Sequence, residues 1–326
     1  MTYLQGKSIL VTGGTGSFGQ AFTRWALEHL EPRRIAVFSR DELKQYEFRQ
    51  QLGEDARVRW FIGDVRDAGR LARALHDVDA VVHAAALKHV DTAEYNPFEC
   101  LRTNVLGSEN VINASIDAGV ERVVALSTDK ASSPINLYGA SKLCSDKLFV
   151  AGNHYAGHQA TRFSVVRYGN VMGSRGSVVP LFRRLAVTGR LPITDYRMTR
   201  FWITLPQAVR FVVDSFDRMR GGELYVPRIP STRVVDLARA IAPEAELDLV
   251  GIRPGEKLHE EMISEDDARR AVVFDDYYLV NPVLAEWAAH EPQRNGKPLP
   301  EGFSYRSDTN DLWLGEDELR ESLAEL

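Results

Sequence analysis

The chain has 326 residues, 44% hydrophobic and 26% charged, so it can bury the core of one large domain or two modest ones. Its formal net charge of −5 argues against nucleic acid or an anionic membrane as the main partner, although a small basic pocket can sit inside an acidic shell. No charged-then-apolar leader opens the chain, and no apolar run approaches the roughly 18 residues of a membrane span. The expectation is a soluble, cytoplasmic protein with no metal site, its two cysteines, Cys100 and Cys144, being reduced thiols.

In chain order, residues 8–12 are an apolar run, 18–30 have helical spacing, and 35–39 form a second apolar run. Runs at 58–62, 80–86, 122–128 and 164–171 follow, with helical stretches between most of them. Near-continuous apolar strands separated by helices indicate a parallel sheet covered on both faces. Right-handed crossovers then make an α/β, doubly wound Rossmann fold. After about residue 171 the rhythm changes: 173–179 is rich in glycine and serine, 191–196 is short, and Pro227, Pro230, Pro254 and Gly255 punctuate the rest. Residues 201–218 read as a helix returning to the first domain. The expected partition is a dinucleotide-binding domain of residues 1–170 with 200–226, and a smaller substrate-binding portion of 171–199 with 227–326. Residues 292–303 and 312–326 have mixed charge and a loose pattern, that of a tail or an interface element.

Gly13, Gly16 and Gly19 form G-x-x-G-x-x-G between the first strand and the first helix, with Thr15, Ser17 and Phe18 in the same turn. Glycine there lets the backbone approach a pyrophosphate, which the helix N-terminus attracts. The second strand ends Phe38-Ser39-Arg40-Asp41, with Lys44 one turn on. A guanidinium beside a hydroxyl suits a 2′-phosphate, so NADP is expected over NAD, with Asp41 still able to serve a ribose. Asp64 and Val65 after the third strand, and Ala84, Ala85 and Ala86 after the fourth, are placed to border an adenosine.

Tyr138 and Lys142 are four apart and share a helix face. An ammonium beside a phenol favours the phenolate, which makes the tyrosine a usable base for a sugar hydroxyl. Alone such a pair is ordinary surface decoration. Here it follows a strand ending Leu126-Ser127-Thr128 and a glycine-rich strand-helix unit.

This combination resembles the extended short-chain dehydrogenase/reductase family over essentially the whole chain. The resemblance implies that Tyr138 and Lys142 are catalytic, that Thr128 binds the reacting hydroxyl, and that Asn104 is the family's helix asparagine at the cofactor. Thr128-Asp129-Lys130 adds an acid/base couple that ordinary epimerases lack and nucleoside-diphosphate-sugar 4,6-dehydratases have, commonly as Thr-Asp-Glu. With lysine for glutamate, and with Ala86–Val90, Glu94–Pro97, Arg167–Asn170, Arg175–Val178 and Arg253–Lys257, the chain looks like the inverting UDP-N-acetylglucosamine 4,6-dehydratases. Tyr138 favours the branch that opens pseudaminic acid biosynthesis over a capsule-pathway subgroup.

That likeness implies oxidation at C4, loss of water across C5–C6 by a base and an acid, and return of hydride to C6. Asp129 and Lys130 supply the acid and the base, which calls for a Lys130 made neutral by burial and by Lys142 and Lys88. It further implies a UDP-sugar held by Arg253 at the diphosphate, Glu256 at the ribose, and Asn170 and Ser177 elsewhere on the nucleotide. Lys88, Thr194 and Met198 would line the sugar or uracil region, Lys88 also bordering the cofactor. Assembly as a homo-oligomer, a dimer or hexamer through helices of the first domain, is implied as well. His83, His89 and His259 read as structural, with His89 bordering the pocket. The rival readings are a UDP-sugar 4-epimerase, which needs no C6 chemistry, and a silent NADP-binding regulator, which would not need Tyr138 and Lys142.

Overall fold

A computed structural model describes residues 2–174, 176–283 and 295–324. Arg175, the first residues of the expected 292–303 segment and the last two of the expected 312–326 segment therefore lie outside the described residues. The strands are β1 Ser8–Thr12, β2 Arg34–Ser39, β3 Val58–Ile62, β4 Ala80–His83, β5 Arg122–Thr128 and β6 Arg162–Tyr168, then β7 Asn170–Val171, β8 Arg190–Ile193, β9 Thr199–Ile203 and β10 Leu224–Pro227. There follow β11 Ser231–Arg233, β12 Glu246–Leu249, β13 Glu261–Ile263, β14 Ala271–Val273, β15 Tyr277–Val280, β16 Lys297–Pro298 and β17 Tyr305–Arg306.

One large sheet runs β16-β14-β15-β10-β6-β5-β4-β1-β2-β3. From β3 to β10 all neighbours are parallel. β1 is buried throughout, as a central strand with helices on both faces must be. The order reverses between β1 and β4, so a crevice opens beyond their carboxyl ends, where open α/β sheets take ligands. β15, β14 and β16 continue the sheet antiparallel. Residues 271–280 and 297–298, expected in the smaller portion, thus extend the large sheet, and the expected boundary crosses it.

Three small sheets, β11-β9-β7, β12-β8 and β13-β17, build the remainder. The run expected at 164–171 divides because a Cβ at Gly169 would stand 2.5 Å from the Phe201 Cβ; the strand breaks there and Asn170 turns to pair with β9. The helix expected at 201–218 begins only at Leu205. Thr204 and Gln207 form a reciprocal capping box and Pro206 sits in the first turn, while Thr199–Ile203 is a buried strand. β4 stops at His83; Ala84 still donates to Thr12 O at 3.2 Å, and residues 85–86 leave the ladder. The loose terminal segment is docked: in the helix Glu316–Ala324, Leu319 and Leu323 are buried with Trp202, Leu237, Met172 and Val179.

Candidate active site

A cleft of about 1160 Å³ opens at the carboxyl ends of β1, β4 and β5 and is closed on the far side by the smaller sheets. At its cofactor end, Gly13 has φ +64, and a Cβ there would lie 2.8 Å from the Ala84 oxygen and the Ala85 nitrogen. A Cβ at Gly19 would stand 2.5 Å from the Gly14 Cα, so Gly19 lets the helix Ser17–His29 press on the turn. No side chain caps that helix at Gly16. The helix N-terminus faces this turn, and the cradle fits a dinucleotide pyrophosphate.

Thr15, Ser17, Phe18, Asp64, Val65, Ala85 and Ala86 line this end with the glycines. The Thr15 and Ser39 hydroxyls lie 2.8 Å apart, and Arg40 and Lys44 are on the wall. Arg40 is about half exposed, its nearest ion pair the 3.9 Å approach to Asp64. Two expected cofactor residues are not on the wall. Asp41 turns away to cap the helix Glu42–Leu52, accepting from Lys44 N at 3.0 Å and pairing with Lys44 Nζ at 2.9 Å. Asn104, in a π-helical turn at Arg102–Leu106, accepts from Leu87 N at 2.8 Å and donates to Leu87 O and the Ser141 hydroxyl, each at 2.9 Å. With both ends of its amide satisfied by protein, it ties the loop after β4 to the helix Leu137–Tyr155.

That helix carries Tyr138 and Lys142, both buried and both on the cleft. Asn136 caps it by accepting from Gly139 N, and also donates to Gly255 O at 2.8 Å, which joins the helix start to the Arg253–Lys257 loop. β5 ends at Thr128, and a short 3-10 turn, Asp129–Ala131, follows. The Thr128 hydroxyl donates to Asp129 Oδ1 at 2.9 Å, and Lys130 Nζ donates to the same oxygen at 3.0 Å. Thr128 and Lys130 are on the wall; Asp129 is fully buried behind them, its Oδ2 without a protein partner. Gly139 lets the helix touch this turn, because a methyl group there would collide with the Lys130 carbonyl oxygen. Gly139→Ala is expected to displace the turn at a cost of about 1–3 kcal/mol; thermal unfolding beside a turnover assay checks it, and an unchanged melting temperature would contradict the close approach.

The charges differ from expectation at two points. Burial alone would lower the Lys130 pKa, yet Asp129 and a second carboxylate, Glu260 at 3.2 Å, outweigh it and hold the ammonium well above its usual range. Lys130 at rest is a cation, not a neutral amine. Burial works against Asp129 too, but Lys130, Thr128 and Arg200 keep its carboxyl below the ordinary value. Burial pushes Tyr138 up to about 12, opposed by the Lys130 charge and the Thr128 hydroxyl. The cation that acts on the phenol is thus Lys130, where helical spacing points to Lys142. Lys142 itself is lowered by burial, with Asp146 opposing. Asp146 accepts from Ser127 at 2.7 Å and from the buried Arg167 at 3.1 Å, which fixes the helix to β5 and β6.

Across the cleft Lys88, Asn170, Thr194 and Met198 are on the wall, and so is Ser177, whose buried hydroxyl has no protein partner. Arg253 and Glu256 also face the cleft and pair with each other at 3.4 Å. His89 borders the cleft, His83 is buried against Thr12 at 2.8 Å, and His259 meets Thr199 at 2.8 Å. Sequence reasoning missed Glu260 and Arg200, both buried and both on the wall. Glu260 lies just past the Arg253–Lys257 stretch in a run of charges, and nothing local separates it from the partly buried Glu261 beside it. No cluster of possible metal ligands exists among the described residues. No helix among them is long and apolar enough to cross a membrane.

The family model described as polysaccharide biosynthesis protein matches residues 9–282. The chain is 53% identical over 322 residues, 96% of each chain, to a protein of Campylobacter jejuni subsp. jejuni serotype O:23/36 (strain 81-176) named UDP-N-acetylglucosamine 4,6-dehydratase (inverting). It is 41% identical over 282 residues, 84% of this chain and 82% of the other, to a protein of Rickettsia canadensis (strain McKiel) named UDP-glucose 4-epimerase. Among solved structures, Pen from Bacillus thuringiensis superposes with a TM-score of 0.90 at 34% identity, covering 99% of this chain and all of the other. DesIV of Streptomyces venezuelae, a dTDP-glucose 4,6-dehydratase with NAD and TYD bound, gives 0.70 at 29% identity over 77% and 86%.

Proposed function

The chain belongs to the polysaccharide biosynthesis protein family, within the extended short-chain dehydrogenase/reductases, and from that premise we propose that it is an inverting UDP-N-acetylglucosamine 4,6-dehydratase dependent on NADP. The observation that carries this reading is the Asp129–Lys130 pair, 3.0 Å apart at the end of β5 and beside Tyr138. An epimerase needs the tyrosine but has no task for a second acid/base couple. A silent binding protein needs neither.

A bound nicotinamide supplies hydride acceptance from C4 and hydride return to C6. The chain's own residues move the protons. Tyr138 takes the proton of the C4 hydroxyl, which Thr128 helps to place. The C4 ketone makes the C5 proton acidic. Elimination then requires one group to accept that proton and another to protonate the departing C6 hydroxyl. Shifting one proton from Lys130 to Asp129 along their contact makes an amine and a carboxylic acid, the two forms that step needs. When the amine takes the C5 proton and the acid's proton is relayed to the leaving hydroxyl through the Thr128 hydroxyl, which bonds Asp129 Oδ1 and lines the wall, the resting charges return and one water is lost. The proton left to give back at C5 is the one Tyr138 holds. A donor other than Lys130 is what inversion at C5 demands.

The test is incubation of the purified protein with UDP-N-acetylglucosamine in D₂O. The expected product has lost one water and carries one deuterium at C5 with inverted configuration, UDP-2-acetamido-2,6-dideoxy-β-L-arabino-hex-4-ulose. A product that keeps its C6 hydroxyl would favour the epimerase. Retained C5 configuration would remove the inverting assignment alone.

Preference for NADP is supported by Ser39, Arg40 and Lys44 on the cleft wall and by Asp41 being spent on a helix cap. Arg40→Ala is expected to weaken NADP binding by about 1.5–3 kcal/mol while leaving NAD binding nearly unchanged. Calorimetry with each dinucleotide checks this, and equal losses would remove the preference. A place early in pseudaminic acid biosynthesis in the cytoplasm is part of the same reading. So is a homo-oligomer, supported by the exposed Tyr95, Phe98, Leu101 and Leu106 on first-domain helical turns.

A further inference from the structure

Glu260, just before β13, is a carboxylate with almost no exposure. Its backbone is clamped to Ser307, donating to the Ser307 hydroxyl at 2.9 Å and accepting from Ser307 N at 2.8 Å, so the side chain cannot be carried away by a loop movement. Its Oε1 lies 3.2 Å from Lys130 Nζ and 3.7 Å from Arg200 Nε, while its Oε2 has no partner in the protein. Arg200 is occupied elsewhere, donating to the carbonyls of Thr199, Lys257 and Leu258 at 2.7, 3.0 and 3.1 Å. A carboxylate kept only to balance Arg200 would sit closer to the guanidinium than to the ammonium. Here the order is reversed.

We propose that Glu260 is a positioning residue for Lys130, the fixed anion that keeps Nζ against Asp129 through the proton transfers of the elimination. This rests on the dehydratase reading above. When Lys130 passes a proton to Asp129, that contact loses its charge on both sides, and only Glu260 still holds the amine in place. When Lys130 regains a proton from C5, Glu260 again pairs with the ammonium. Glu260 neither gains nor loses a proton, so the balance of the step is unchanged. The charged and titratable groups that face Lys130 are Asp129 on its own turn, Glu260, Arg200 from β9, Tyr138 from the helix Leu137–Tyr155, and Lys257.

The experiment is single-turnover analysis of Glu260→Gln with UDP-N-acetylglucosamine. C4 oxidation is read from the near-ultraviolet absorbance of reduced nicotinamide, and elimination from the mass loss of one water. C4 oxidation is expected to stay within a few-fold of the unaltered protein while elimination slows on the order of 10–100-fold, the usual effect of losing a group that orients a catalytic one. The pH profile of elimination should move to lower pH on both limbs, because removing a neighbouring negative charge makes the Asp129–Lys130 pair release protons more readily. In a Lys130→Met background, Glu260→Gln should add little. Equal loss of both steps, unmoved limbs, or full additivity with Lys130→Met would overturn the proposal. Should Glu260→Gln fail to fold, Glu260→Asp is expected to fold and to slow elimination selectively; failure of both to fold would mark the residue as structural and overturn it. If the unaltered protein releases no water, the dehydratase reading falls; if it does and the variants behave uniformly, only the role of Glu260 falls.

Discussion

Lys130→Ala should oxidise the substrate at C4 and then stop, with reduced nicotinamide persisting and water loss slowed on the order of 10²–10⁴-fold. The amine that takes the C5 proton is gone, and Asp129 has no neighbour from which to receive the proton it must give. Single-turnover absorbance beside mass analysis separates the two steps; normal water release would show that another group serves C5. The substitution also strands Asp129 and Glu260 in a buried site. Breaking a buried pair on one side costs roughly 3–5 kcal/mol, so a lower melting temperature is expected as well. Without the ammonium, burial, the largest influence on Asp129, is left to raise that carboxyl above its unfolded value. Stability tied to a raised carboxyl is present below its unfolded pKa and is lost as pH rises through the folded one. The gap between variant and parent should therefore widen from acidic to neutral pH, which melting curves across that range would measure.

Tyr138→Phe acts one step earlier. It should slow C4 oxidation on the order of 10²-fold or more, because a general base is removed, while nucleotide affinity stays nearly intact. Burial holds the phenol up to about 12, so at neutral pH it is protonated until something lowers it. The opposing influences within the protein are the Lys130 charge and the Thr128 hydroxyl. Hence Lys130→Ala also slows C4 oxidation, but much less than elimination, so the oxidised intermediate still accumulates. Near-normal oxidation by Tyr138→Phe would mean that a different group activates the C4 hydroxyl. The comparison with UDP-N-acetylglucosamine binding, by calorimetry on the same preparation, guards against simple loss of the site.

Much of the large sheet was legible in the sequence because its central strands are buried on both faces and read as plain apolar runs: β1 and β5 fall at residues 8–12 and 122–128 as expected, and the half-exposed edge strand β3 at 58–62. Where a strand bends for a contact made elsewhere, the pattern gives no warning. Gly169 breaks its run because Phe201 approaches from β9, in the small sheet β11-β9-β7. The strand Thr199–Ile203 looked like the start of a helix, although Thr204, Pro206 and Gln207 carry a start signal that was there to be used. At the site, most expected residues meet on one cleft, since they belong to local motifs at strand ends. Asp41 and Asn104 were named by position in such motifs, but their side chains are spent on a cap and a brace. Glu260 and the charge state of Lys130 arise from groups 130 positions apart in the sequence, Lys130 and Glu260, and no window along the chain brings them together.

The pairing of β10 has a consequence for how the molecule is made. One of its neighbours, β6, precedes it, but the other, β15, comes from much later in the chain, after most of the smaller sheets. During synthesis the nascent dinucleotide-binding half must wait with an open parallel edge, a template for pairing with other chains, until β15 emerges. Cutting the chain after β10 would leave that edge bare for good, so the two halves form one cooperative folding unit and cannot be handled as separate modules.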